Sequence, residues 1–155
     1  MSSERGPLGK GDETAVTIHF VARNACRAAE WYKSVFGAVE LGSIPVPGEK
    51  YMQIELRFGS STMMLADEFA EMGVSGPPAT GATAVVFHFS TSNAKAVWDR
   101  AVAEGAHVVQ PLLEQFWGEL YGQIQDPFGH RWGIGQRTRE VSREEIERIA
   151  AGLFQ

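Results

Sequence analysis

Val16-Thr17-Ile18-His19-Phe20-Val21-Ala22 alternates, with Val16, Ile18, Phe20 and Ala22 on one face and Thr17, His19 and Val21 on the other, the period-two pattern of a half-buried strand. The period then changes. From Asn24, suited to cap a helix, the apolar residues Ala28, Trp31, Tyr32, Val35 and Phe36 recur at three- and four-residue spacing up to Gly37, which predicts a helix with a glycine stop. Three strands are expected next, over Ala38 to Ile44, Tyr51 to Phe58 and Thr62 to Ala66, broken by Pro45, Pro47 and Gly48 and by the turn Gly59-Ser60-Ser61. The result is a βαβββ unit.

The same order of signals returns beyond a loop rich in glycine and proline, Gly76 to Gly81. A strand over Thr83 to Ser90, a helix over Asn93 to Ala103, Gly105, and strands near Ala106 to Leu113, Trp117 to Gln125 and His130 to Gly135 complete a second unit. His19 to His88, Gly37 to Gly105 and Phe58-Gly59 to Phe128-Gly129 all keep an offset of about 68 to 70 residues, so the chain reads as an internal duplication. Ser142 with Glu145 forms a capping box that opens a last helix to about Leu153, suited to packing or a dimer contact. The expected organisation is a tail over residues 1–13, a single domain over 14–140 and a C-terminal helix over 141–155. Within the domain, module 1 covers about 14–70, a loop covers 71–81, and module 2 covers about 82–140.

Composition bounds the function. At 155 residues, 44% hydrophobic and 21% charged, the chain is that of one globular domain rather than a disordered or fibrous protein. A net charge of −5 argues against nucleic acid, since binding phosphates requires clustered Lys and Arg. No apolar run approaches the roughly 20 residues of a membrane span, and the tail has no apolar centre of a signal peptide. Cys26 is the only cysteine, which excludes an intramolecular disulfide and a multi-cysteine zinc site and points to the cytoplasm. It stands at a helix start beside Arg27, and no neighbouring His marks it as a nucleophile.

One helix per four strands covers only one face of each sheet. The apolar sets Val16, Ile18, Phe20; Met52, Ile54, Leu56, Phe58; Val85, Phe87, Phe89; and Leu120, Ile124 are assigned to the helix side. The opposite face then carries His19, Tyr51, Gln53, Glu55, Arg57, His88, Trp117, Glu119, Tyr121, Gln123 and Arg131, a polar and aromatic mixture suited to a small-molecule pocket. A solvated sheet face is the plainer alternative. Trp117 and Tyr121 share parity and offer rings with polar tips. Arg131 could pair with a ligand carboxylate or aromatic plane, or with Glu55 or Glu119. Asp126-Pro127-Phe128-Gly129 reads as a turn, and Trp31, Tyr32, Trp98 and Trp132 as core.

Trp31-Tyr32-Lys33-Ser34-Val35-Phe36-Gly37, Met63-Met64-Leu65-Ala66-Asp67-Glu68, and Phe116-Trp117-Gly118 through Tyr121-Gly122-Gln123 to Asp126-Pro127-Phe128-Gly129-His130-Arg131-Trp132-Gly133 resemble the vicinal oxygen chelate superfamily, and within it the PhnB-like branch of glyoxalase and bleomycin-resistance proteins. The resemblance runs from about Val16 to Ser142. It implies an α+β fold of two βαβββ modules forming a cup-shaped, partly open barrel, a homodimer, and a site inside the cup. Metal-dependent members place His, Gln or Glu ligands on the first, fourth, fifth and eighth strands; here those positions fall at about Thr17, Met64, Val86 and Gly133. None supplies a donor for a hard or borderline divalent ion, so no metal and no cofactor is expected. Met64 would instead supply apolar wall.

Three readings follow. The first is a metal-free binding protein enclosing a planar or aromatic metabolite or antibiotic with His19, Gln53, Met64, His88, Trp117, Tyr121 and Arg131, its partners being that ligand and a second copy of the chain, with no nucleic acid and no membrane. The second is a glyoxalase-like lyase or isomerase in which His19 or His88 acts as acid or base; no catalytic residue is otherwise singled out. The third is a metal enzyme with shifted ligands, because His19 and His88 each lie two residues beyond a lost ligand position, with Glu55, Glu119 or Asp67 closing the shell.

Overall fold

The computed structural model describes residues 14–154; the expected tail over 1–13 lies outside the described residues. The elements are β1 Ile18–Ala22, α1 Ala25–Phe36, β2 Val39–Val46, β3 Lys50–Phe58, β4 Ser61–Asp67, β5 Val86–Ser90, α2 Ala94–Ala103, β6 His107–Glu114, β7 Glu119–Gln125, β8 Arg131–Arg137 and α3 Arg143–Leu153. They build two four-stranded sheets of identical topology, β1-β4-β3-β2 and β5-β8-β7-β6. The fold is therefore α+β, two βαβββ modules with open sheets.

The duplication extends to single hydrogen bonds. Asn24 accepts from Arg27 N at 3.1 Å and Asn93 from Ala96 N at 3.2 Å, capping α1 and α2 in the same way. The last strand of each module ties down its helix start: Ala25 N donates to Asp67 Oδ1 at 2.9 Å, and Ala94 N to Gln136 Oε1 at 3.0 Å. Register repeats too, since His19 pairs with Met64 and His88 with Gly133.

Periodicity locates the strands but overstates some ends. β5 starts at Val86, not Thr83, and β7 at Glu119, leaving Trp117 in the preceding turn rather than on the strand. Val16, Met52 and Val85, assigned to the helix side, are 95%, 51% and 55% exposed; Val16 and Val85 lie ahead of β1 and β5 rather than within them.

The helix-facing sides of both sheets share one core. Phe20 on β1 meets Phe87 on β5 at 5.5 Å between ring centroids, and Phe36 on α1 meets Phe89 at 4.7 Å and Trp132 at 4.5 Å. Trp31, Tyr32 and Trp132 are buried there, with Trp98 packed against them. At its centre Asp126 is 2% exposed and accepts from Tyr32 Oη at 2.6 Å, Trp132 Nε1 at 2.8 Å, Phe128 N at 2.8 Å and His130 N at 3.0 Å. Burial first, and then the Asp126 charge, push the Tyr32 phenol well above its ordinary value. Side chains alternate across a strand, so the polar face of each sheet points away from this shared core. Among the described residues, no helix is long and apolar enough to cross a membrane.

Candidate functional site

The polar face of the second sheet carries a connected group of side chains built around Glu119. His88 Nε2 lies 2.9 Å from Glu119 Oε2, and because a carboxylate only accepts, the ring nitrogen donates. Trp117 Nε1 donates to Glu119 Oε1 at 2.8 Å. The His88 ring stacks on Tyr121 with centroids 5.3 Å apart and planes 17° apart, while Trp117 meets Tyr121 edge-on at 5.8 Å. Gln123 Nε2 donates to Tyr121 Oη at 2.9 Å. The His88 side chain is 43% exposed and that of Glu119 18%, so the imidazole remains open to solvent while the carboxylate is largely covered.

Two glycines of β8 make this packing possible. A Cβ at Gly133 would stand 2.6 Å from Tyr121 Oη, and one at Gly135 would clash with the Glu119 carboxylate and lie 2.9 Å from His88 Nε2. Tyr121 and Glu119 thus lie flat across a strand that offers no side chains at those two positions.

Open hollows border the group. One of about 770 Å³ is lined by His88 and Ser90 of β5 with Ile18, Thr62 and Val86, and a second of about 560 Å³ by Ser90, Thr91, Glu119 and Gly135. His19 borders a different hollow of about 380 Å³, beside Val21, Pro77, Phe87 and His130.

Of the residues expected at the site, His88, Trp117 and Tyr121 come together, and Arg131 shares their face, paired in register with Val86 and Gln125. His19, Gln53 and Met64 belong to the first sheet, where Met64 pairs with both His19 and Glu55. Trp117 reaches Tyr121 from the turn rather than by strand parity. Sequence reasoning gave Glu119 only as a carboxylate for a metal or for Arg131; its parity with Tyr121 placed it on the right face, but nothing in the spacing made it the hub. Gln123 and the two glycines went unselected, since their role rests on contacts across strands.

The donor set does not fit a divalent ion at the positions suggested by the resemblance. Thr17, Met64 and Val86 carry no suitable donor, Gly133 carries no side chain, and the Tyr121 ring fills the space above it. Nor do three His, Cys, Asp or Glu side chains converge among the described residues. No reaction step through a metal follows from this geometry.

Comparison with known proteins agrees with the architecture. A sequence model of the Glyoxalase/Bleomycin resistance protein/Dioxygenase superfamily matches residues 15–134. An uncharacterized protein of Mycobacterium tuberculosis is 41% identical over 138 residues, which cover 87% of this chain and 81% of the relative. Among solved structures, protein PA1353 from Pseudomonas aeruginosa superposes with a TM-score of 0.65 at 22% identity, covering 81% of this chain and 99% of the other. A PhnB protein from Bacillus cereus superposes with a TM-score of 0.63 at 12% identity, covering 81% and 100%. At these identities the two structures speak for the fold alone.

Proposed function

The chain belongs to the Glyoxalase/Bleomycin resistance protein/Dioxygenase superfamily, and on that premise we propose that it is a metal-independent binding protein for a planar or aromatic small molecule, a metabolite or an antibiotic held away from its target. The observation that carries this reading is the stack of His88 on Tyr121 with Trp117 edge-on beside it, His88 and Trp117 both bonded to Glu119 and Tyr121 to Gln123. Such a group offers ring faces for stacking and polar tips for orientation, the combination by which pockets select flat ligands. Sequestration needs no chemistry from the protein.

The polar faces point away from the shared core, and we propose that two copies pair so that each cup is completed by both. His19, Gln53 and Met64 would then approach the ligand from the first sheet of the partner. We place the protein in the cytoplasm, in keeping with its single, exposed Cys26.

Quenching of tryptophan fluorescence by a panel of planar aromatic compounds tests the reading. Saturable quenching that chelator leaves unchanged and Trp117→Ala abolishes is expected. Failure of the whole panel to quench, with Trp117→Ala no different, overturns it.

One observation favours a second reading. Glu119 holds the Nε2 side of His88, leaving Nδ1 as the ring atom able to exchange a proton with a ligand. A lyase or isomerase acting next to a carbonyl would use that atom. Turnover lost in His88→Ala with ligand binding retained would replace sequestration by catalysis.

A further inference from the structure

Arg131 stands on β8 one same-face step, about 7 Å, from Gly133, above which the Tyr121 hydroxyl lies. It is half-buried, and its Nε is buried without a hydrogen-bond partner. Its Nη2 has only a 3.4 Å contact with Gly81 O, an oxygen that already accepts from Gln125 Nε2 at 3.0 Å. That contact is at the outer limit for a hydrogen bond. Among the described residues no ion pair includes Arg131. Glu119, a carboxylate of the same face, is engaged by His88 and Trp117, and Asp126 is enclosed in the core.

A guanidinium is charged at every accessible pH and presents its donors as a planar fork. Holding one partly out of water with no anion beside it is unfavourable, and the arrangement becomes favourable when a carboxylate supplies two parallel charge-assisted bonds. The neighbouring groups suit such an arrival. The Tyr121 hydroxyl accepts from Gln123 and keeps its own proton to donate, and Gly133 raises no side chain between it and Arg131. A flat ligand lying against His88, Tyr121 and Trp117 would carry its anionic end to Arg131.

We infer that Arg131 is an anion subsite and that the ligand is an aromatic carboxylate, its ring against Tyr121 and its carboxylate on the guanidinium. This inference rests on the proposed binding of a planar molecule by the same face and adds the charge that such a molecule must bear.

The test uses 2-naphthoate and its neutral near-isostere 2-naphthamide, with binding to the full-length protein followed by fluorescence and calorimetry. Wild type is expected to bind the acid at least tenfold more tightly than the amide. In Arg131→Met that preference falls to about one through loss of affinity for the acid alone, and in Arg131→Lys part of it survives. Denaturant midpoints establish that each variant is folded. Equal affinity for acid and amide in the wild type, or a preference unchanged in Arg131→Met, overturns the anion subsite while leaving planar-ligand binding intact. Loss of the dimer in Arg131→Met with the preference unchanged also overturns it, and assigns the guanidinium to a contact between copies. If neither compound binds the wild type, the inference falls together with the binding reading.

Discussion

His88 and Glu119 form a pair in which the carboxylate is held from both sides: Oε2 accepts from the imidazole at 2.9 Å and Oε1 from the Trp117 indole at 2.8 Å. One side chain therefore sets the orientation of two rings. The imidazole is additionally fixed against the Tyr121 face, so removing the carboxylate frees a ring from one of its two restraints. This dependence gives the first prediction.

Glu119→Ala is expected to weaken planar-ligand binding by about tenfold or more while lowering stability by only about 1 kcal/mol, because its bonds to partly exposed rings are worth modest net amounts. Paired fluorescence titrations and urea unfolding check both halves. A large stability loss with unchanged affinity would make Glu119 purely structural.

Gly133→Ala should displace the Tyr121 ring, since the added Cβ would lie 2.6 Å from its hydroxyl. Such overpacking costs typically about 1–3 kcal/mol. The specific signature is in the NMR spectrum of His88, whose ring protons lose the shielding of the stacked phenol; the same shift as in wild type would contradict the packing described.

Asp126→Ala leaves the Tyr32 hydroxyl, the Trp132 indole and two backbone N–H groups without their acceptor in the buried core. Unsatisfied buried donors cost about 1–3 kcal/mol each, so a loss of at least about 3 kcal/mol is expected in urea unfolding. Asp126→Asn, which can accept some of these bonds, should lose less.

Alkaline stability follows from Tyr32. Burial and Asp126 hold its folded phenol well above the ordinary 10.0, so below pH 10 both folded and unfolded chains keep the proton and nothing changes. Above it the unfolded chain releases the proton first, and stability falls as pH rises until the folded phenol also ionises. In Tyr32→Phe this contribution is absent; the variant is less stable at neutral pH, and the gap to wild type narrows above pH 10. Denaturant midpoints from pH 8 upward measure it.

Divalent metal should neither co-purify at one ion per chain nor alter ligand affinity, because the donor set offers threonine, methionine, valine and glycine where imidazole or carboxylate is required. Elemental analysis after dialysis decides this, and one tightly held ion per chain would return the shifted-ligand reading.

Much of the architecture is legible in the sequence because strand alternation and helix periodicity are local. The Asn24 cap, the repeat and the shared face of His88, Tyr121 and Arg131 come from such patterns, while the matching cap at Asn93 is legible only as a helix start. Strand ends are harder to read: Val16 and Val85 continue the alternation but lie ahead of β1 and β5 and are exposed. The hub at Glu119 depends on Gly133 and Gly135 across the sheet, and glycines in a strand leave no periodic trace. Asp126 reads as a turn residue, which its backbone position supports, while its place among buried Tyr and Trp donors is set by the junction between the modules. Whether both polar faces serve one cavity is likewise decided by how the sheets share a core, a long-range property.

The row His19, Met64, Glu55 in the first sheet corresponds in register to His88, Gly133, Gln123 in the second. One backbone frame thus displays two unlike surfaces, a histidine kept in each while its neighbours diverge. Exchanging Met64 for glycine would begin to turn the first surface into a copy of the second, but the turn that carries Trp117 spans residues 115–118 where its counterpart spans only 47–49, so a full copy needs a longer connection as well as new side chains.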